Sequence, residues 1–242
     1  MTVLQDKKMG FARNVIAIFA RAPRMGEVKT RLAKSVGDQA ACDLYVAMLR
    51  DVFASAQIAA SHLADAEVVV FYTPESAFSH SEDSLNPFWN GAHYPQCDGD
   101  LGDKLFNCFK VLRENGAQNI VVIGTDAPDL PPHFLNDAFR VLEVHDFVFG
   151  ASEDGGFYLM GASLEYDSAL FADVRWSSEH TLQDVLTNLG EQRVGFLPLW
   201  RDVDTIEDLR ALHRRLQIGK GIAQQTHRVL DAMTRNEKAP RE

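Results

Sequence analysis

The chain has 242 residues, 46% of them hydrophobic, which is enough for one large α/β domain with a substantial core. Its net charge of −10 and a pI near 5.2 argue against a general nucleic-acid binder, which needs a basic face, but leave room for a nucleotide held by a few local cations. Three cysteines, Cys42, Cys97 and Cys108, are odd in number and lack CxxC spacing, so a disulfide framework or a cysteine zinc site is not expected.

In chain order, Met1–Asn14 is polar and lacks the apolar stretch of a signal peptide. No apolar run approaches membrane-span length, and the expectation is a soluble cytoplasmic protein with no membrane partner. Strand-length apolar runs follow at Val15–Ala20, Val68–Tyr72, Ile120–Gly124, Phe147–Gly150, Phe157–Gly161 and Val194–Leu197. They alternate with helical stripes: Leu44, Met48 and Val52; Leu101, Leu105, Phe109 and Leu112; Phe134, Leu135, Ala138, Phe139 and Leu142; Leu182, Val185, Leu186 and Leu189; Ile206, Leu209, Leu212 and Leu216. This alternation predicts βαβ units and a mostly parallel sheet whose continuously apolar strands are covered on both faces. Pro74–Asn90 reads as a loop with at most one helical turn. Residues 219–242 read as a C-terminal helix, with stripe Ile222, Val229, Leu230 and Met233, ending in a frayed tail at Asn236–Glu242.

The chemistry is expected at strand ends, because ligands of open α/β sheets bind where the chain leaves the carboxyl edge. After the first run comes Arg21-Ala22-Pro23-Arg24-Met25-Gly26-Glu27-Val28-Lys29-Thr30-Arg31, whose cations and glycine suit phosphate oxygens. Apart from Glu27 no acidic neighbour is in sequence reach, and the alternative is a solvated turn. After Asn119–Ile123 comes Gly124-Thr125-Asp126-Ala127-Pro128-Asp129. There Asp126 is placed to hold Mg²⁺ or Mn²⁺, while Asp126 or Asp129 could instead cap a helix. Arg201-Asp202-Val203-Asp204-Thr205 offers a second metal ligand, or a helix start at Asp204 or Thr205.

Glu153-Asp154-Gly155-Gly156 could be a plain hairpin turn. Glu153 is spare in such a turn, however, and paired glycines let a ligand approach the backbone. Around Gly99 and Asp100 lies a Gly/Asp-rich helix start whose N–H groups could meet an anion, and Trp176 with Ser177 forms a loop that is either a substrate wall or ordinary packing. The eight histidines show no HxxH or HExxH spacing, which reads each as structural or exposed. Gly26 stands three positions before Lys29, so this is not a Walker A loop; GxGxxG and GxSxG are missing too. DVDT imitates a haloacid-dehalogenase nucleophile motif, but only 38 residues follow Asp204, too few for that domain.

Taken together, FARAPRMGEVKTRLA, DGDLGDKL, IGTDAPDL, EDGGFYLMG, the WSS loop and RDVDTIEDL resemble, across Val15–Leu216, the bacterial glycosyltransferase-like family associated with radical-SAM/selenodomain proteins. That family is similar to the guanylyltransferases of deazaflavin-cofactor synthesis and, more distantly, to molybdenum-cofactor nucleotidyltransferases. The resemblance implies an α/β GT-A-like fold, a Rossmann-type three-layer sandwich, as a single nucleotide-diphospho-sugar transferase-like domain over residues 1–242. It implies phosphate contacts from Arg21, Lys29 and Arg31, metal ligation by Asp126 and by Asp202 or Asp204, and an acceptor side at Glu153 and Asp154.

The resulting expectation is a metal-dependent nucleotidyltransferase moving a nucleotidyl group from a nucleoside triphosphate to a small phosphorylated or carboxylated acceptor. The alternatives are a glycosyltransferase using a nucleotide sugar and a non-catalytic nucleotide-binding regulatory module. Base, acceptor and oligomeric state stay open.

Overall fold

The computed structural model describes residues 10–78, 84–219 and 221–238, with side chains through residue 235. In chain order it contains β1 (Asn14–Arg21), α1 (Thr30–Val36), α2 (Asp38–Ser61), β2 (Ala66–Thr73), β3 (His93–Pro95), α3 (Leu101–Glu114), β4 (Asn119–Ile123), α4 (Pro132–Leu142), β5 (Phe147–Ser152), β6 (Phe157–Ala162), α5 (Thr181–Leu189), β7 (Val194–Trp200), α6 (Ile206–Ile218) and α7 (Gln224–Lys238). The strands form one sheet in the order β3-β2-β1-β4-β6-β5-β7. Among the described strands only β6 runs antiparallel to its neighbours; the remaining pairs are parallel.

The period-two alternation of strand side chains divides the core between the two faces. Ile16, Ile18, Val70, Val121, Ile123 and Val148 face α2 and α4. Val15, Ala17, Val69, Phe71, Ile120, Val122 and Phe149 face α3 and α5. Both faces are thus covered, as the apolar runs predict. β7 at the sheet edge departs from this, leaving Phe196 and Leu199 exposed.

α2 is wrapped on two sides. Val52 packs toward the sheet, while Leu44 and Met48 join Leu32, Val203, Leu209, Leu212, Leu216 and Leu230 in a third cluster under α1, α6 and α7. The expected stripe Leu44–Met48–Val52 therefore serves two cores rather than one. Ile222 lies ahead of α7, not on its stripe, and is exposed. β3 has no counterpart among the sequence-predicted strands; its three residues are too few for a periodic signal. Of Pro74–Asn90, Glu75–Phe78 forms one 3₁₀ turn, in keeping with the loop expectation. The expected frayed tail falls largely outside the described residues.

Candidate active site

Parallel β1 and β4 lie side by side, with Ile18 opposite Ile123, so the loops that leave their carboxyl ends emerge together. The loop after β7 joins them: Val203 N donates to Asp126 O at 2.9 Å. A cleft of about 510 Å³ opens there, in the range of small-ligand sites, and Arg21, Lys29, Arg31, Tyr45, Lys104, Asp126 and Asp204 are among its walls.

Lys29 sits at its base. It precedes α1 with φ 47°, and Gly26 turns the loop at φ 79°. The Lys29 side chain, only 4% exposed, points inward. Its Nζ donates to Asp126 Oδ1, to Val203 O at 2.6 Å and to Asp204 Oδ1 at 3.3 Å. Burial lowers the lysine pKa, but the charges and hydrogen bonds of Asp126 and Asp204 outweigh it and hold the ammonium above its ordinary value.

The expectation that this loop lacks acidic partners beyond Glu27 is therefore wrong: the partners come from strands distant in sequence. Arg31 Nη1 lies 3.9 Å from Asp204 Oδ2, and Arg24 Nη2 donates to Ser76 Oγ at 2.7 Å. Tyr45 of α2 fixes the start of the loop, donating to Arg21 O at 3.1 Å and accepting from Arg21 N at 3.0 Å.

Asp202 points to the other side of Asp126, and the two residues line a smaller hollow of about 70 Å³. Ser152 Oγ at the end of β5 donates to Asp202 Oδ2 at 2.9 Å. Burial, and then the negative charges of Asp126 and Asp154, push the Asp202 carboxyl up to about 7 despite that bond. Asp202, Asp204, Glu153, Asp154 and Arg31 line a third recess of about 280 Å³.

The helix-cap alternatives are now decided. Thr205 begins α6 in a reciprocal capping box with Asp208, which leaves the carboxylate of Asp204 turned to the cleft. Asp129 does not cap α4, whose N-cap position is Pro131. Its buried carboxylate instead takes a two-pronged bond from Arg215 of α6, Nε to Oδ2 at 2.7 Å and Nη2 to Oδ1 at 3.1 Å.

The β5–β6 connection is a hairpin turn closed by Ser152 N to Gly156 O at 3.0 Å. Glu153 is not spare, because Arg201 Nε donates to its Oε2 at 2.6 Å. Asp154 Oδ1 accepts from Gly156 N at 3.0 Å. Gly155 has φ 87°, and a Cβ there would run into the backbone of Glu179, so close chain packing alone requires a glycine. At the start of α3, Asp100 and Asp103 form a capping box that engages two of the N–H donors expected to be open to an anion. Trp176 Nε1 donates to Asp100 Oδ2 at 3.1 Å, and Ser177 has φ 56°. Gly26, Gly99, Asp100, Gly155, Gly156, Trp176 and Ser177 stand outside the residues lining the large cleft.

Sequence reasoning did not pick out Tyr45, and it gave no role to Ser152 or to Lys104 of the DGDLGDKL motif. Tyr45 sits in a helix with no motif around it; Ser152 adjoins the acidic turn, and this was its only signal. Asp126, Asp202 and Asp204 offer carboxylate oxygens, the ligand type that Mg²⁺ and Mn²⁺ prefer, yet among the described residues the three do not bring one oxygen each within 4.8 Å of the others. Asp126 and Asp202 line the same hollow, and burial first, then the charge of Asp126, opposes ionisation of Asp202, so a cation placed there would meet two carboxylates.

Residues 55–178 match the model of a family described as "Uncharacterized protein conserved in bacteria (DUF2064)". No curated protein matches the chain. Among solved structures, a protein of Desulfovibrio desulfuricans G20, provisionally described as a nucleotide-diphospho-sugar transferase, is 25% identical with a TM-score of 0.82, covering 93% of this chain and 98% of its own. A CMP:2-keto-3-deoxy-manno-octonic acid synthetase complexed with CTP is 16% identical with a TM-score of 0.52 over 84% and 99% of the two chains. A cytidylyltransferase from Leptospira borgpetersenii serovar Hardjo-bovis is 15% identical with a TM-score of 0.51 over 96% and 99%. The fold is the GT-A-like one, and the 25%-identical Desulfovibrio neighbour is the one whose description as a transferase bears on this chain. Among the described residues no helix is long and apolar enough to cross a membrane.

Proposed function

The chain belongs to the DUF2064 family, and on that footing we propose that it is a metal-dependent nucleotidyltransferase. The observation that carries this reading is the ammonium of Lys29, held between Asp126 and Asp204 at the base of a cleft that Arg21, Arg31 and Lys104 also line. A triphosphate carries more negative charge than a sugar nucleotide and needs more cations around it. Asp126 with Asp202 or Asp204 would hold Mg²⁺ or Mn²⁺, which when bound neutralises and orients phosphate oxygens. Kinship to the radical-SAM-associated and deazaflavin guanylyltransferase types belongs to the same proposal.

In this reading Arg21 and Arg31 bind the β- and γ-phosphates, and Lys29, whose three N–H groups are engaged by Asp126, Val203 O and Asp204, adds its charge from the base of the cleft. An acceptor phosphate or carboxylate oxygen on the Glu153–Asp154 side forms a bond to the α-phosphorus as the α–β bridging bond breaks. Pyrophosphate leaves with its charge against Lys29 and Arg31. The residues contribute positioning and charge neutralisation, and an already ionised acceptor requires no proton transfer. A second reading, glycosyl transfer from a nucleotide sugar, is favoured by the description of the Desulfovibrio neighbour. There Glu153 or Asp154 would take the proton of the acceptor hydroxyl.

Product analysis with a nucleotide and acceptor panel in Mn²⁺ separates the readings. Pyrophosphate is expected; a nucleoside diphosphate would transfer the assignment to the second, and nucleotide binding without any product would favour a regulatory module. Asp126→Asn is expected to weaken nucleotide binding in Mn²⁺ at least about tenfold, a difference of ~1.4 kcal/mol, while the metal-free affinity does not fall, since the variant removes a negative charge beside Lys29. Calorimetry showing the same Mn²⁺-dependent affinity in the variant would overturn the assignment of Asp126.

A further inference from the structure

Away from the cleft, α6 and α7 pack side by side through Leu212, Leu216 and Leu230, all buried in the third cluster. Asp51 of α2 secures the start of α7, accepting from Gln225 N at 3.1 Å and from Thr226 N at 2.7 Å. On the more open side of this seam each helix offers two polar groups one turn apart: His213 and Gln217 on α6, His227 and Asp231 on α7. The four converge. His213 Nε2 lies 3.2 Å from Asp231 Oδ1 and 3.1 Å from Gln217 Nε2. His227 Nε2 lies 3.6 Å from Asp231 Oδ1 and 3.5 Å from Gln217 Nε2. The nitrogen of each ring and the carboxylate oxygen lie within 4.8 Å of one another.

A tetrahedral ion with bonds of about 2.0–2.1 Å separates neighbouring ligand atoms by about 3.3 Å. The four observed edges bracket that value without any movement of the backbone. We propose that His213, His227 and Asp231 form a site for one divalent zinc ion, with Gln217 turning its amide to present Oε1 or yielding the fourth position to water. Two imidazoles and one carboxylate make a donor set that prefers late first-row ions and discriminates against Mg²⁺, which seeks oxygen ligands in an octahedron. The ion would pin the C-terminal helix to α6, which starts beside Asp204 and anchors Asp129 through Arg215. This site is independent of the nucleotide reading and shares no residue with it.

The test uses the full chain without an affinity tag, stripped by chelator. Calorimetric titration with Zn²⁺ is expected to show one equivalent bound, undisturbed by excess Mg²⁺, with a rise of several degrees in Tm once zinc exceeds its Kd about 100-fold. His213→Gln and His227→Ala should each weaken zinc binding by about 100-fold or more, whereas Asp126→Asn should bind it as the parent does. A readout free of substitutions is imidazole NMR: zinc should shift two of the eight histidines and leave the rest. No zinc bound, zinc affinity unchanged by both histidine variants, or loss of zinc binding in Asp126→Asn would each overturn the proposal.

Discussion

Lys29→Met is expected to lower the stability of the ligand-free protein by about 2 kcal/mol, a fall in Tm of about 4–8 °C, and to weaken triphosphate binding by roughly two orders of magnitude. Methionine keeps most of the volume and removes the charge. Asp126 and Asp204 then face each other without the ammonium, and Val203 O loses its donor. Breaking a fully buried pair costs about 3–5 kcal/mol. The smaller figure applies because the two carboxylates are 46% and 41% exposed and can be rehydrated. Mg²⁺ or Mn²⁺ should restore much of the lost Tm in the variant and raise it less in the parent, since a cation would occupy the position the ammonium has left. Parental nucleotide affinity in Lys29→Met would remove this residue from the binding machinery. A Tm unaffected by the substitution would contradict its role in the fold.

Asp202→Asn should act in the opposite direction on stability, raising it by about 1–2 kcal/mol at pH 8 without metal, or about 3–6 °C in Tm. The folded protein holds this carboxyl near 7, far above the usual carboxylate range, because burial and Asp126 oppose its ionisation. Between roughly pH 4 and 7 the folded state therefore keeps a proton that the unfolded chain has released, and stability falls as pH rises through this window. Above pH 7 the full cost of the buried charge is present, and asparagine, which can still accept from Ser152, avoids it. The Tm curves of parent and variant should meet below about pH 4 and separate progressively toward pH 8. The same variant should lose metal-dependent nucleotide affinity, so stability gained would be function lost. Parallel curves across this range would show that Asp202 does not titrate as described.

Much of the fold was legible because period and composition act locally. The six expected strands are present, five of them as apolar runs covered on both faces and β7 as an edge strand with Phe196 and Leu199 exposed. β3 escaped because three residues carry no period, and the stripe of α2 is buried as expected, although its residues divide between two cores. The candidate site was legible as separate strand-end loops, since Gly, Pro and clustered charge mark such loops in any α/β chain. That the loop of Asp126 meets the loop of Asp202 and Asp204 was implied by the family resemblance, but the side-chain partners within it were not legible. Sequence gives no indication that Lys29 meets Asp126 and Asp204, that Arg215 takes the carboxylate expected to cap α4, or that Arg201 engages Glu153. The histidine site escaped for a related reason. Its ligands follow i,i+4 spacing with mixed residue types on two helices, and only the packing of those helices brings them together.

Val203 places its side chain in the core and its peptide groups in the site: its N–H holds Asp126 O and its carbonyl accepts from Lys29. What the site draws from this position is main chain, which every residue but proline supplies in full. Drift in a lineage should therefore be read differently here than at its neighbours. Exchange among buried aliphatics at 203 would leave the chemistry whole, so a position as central as the flanking aspartates would look, by residue identity alone, like ordinary filling of the interior.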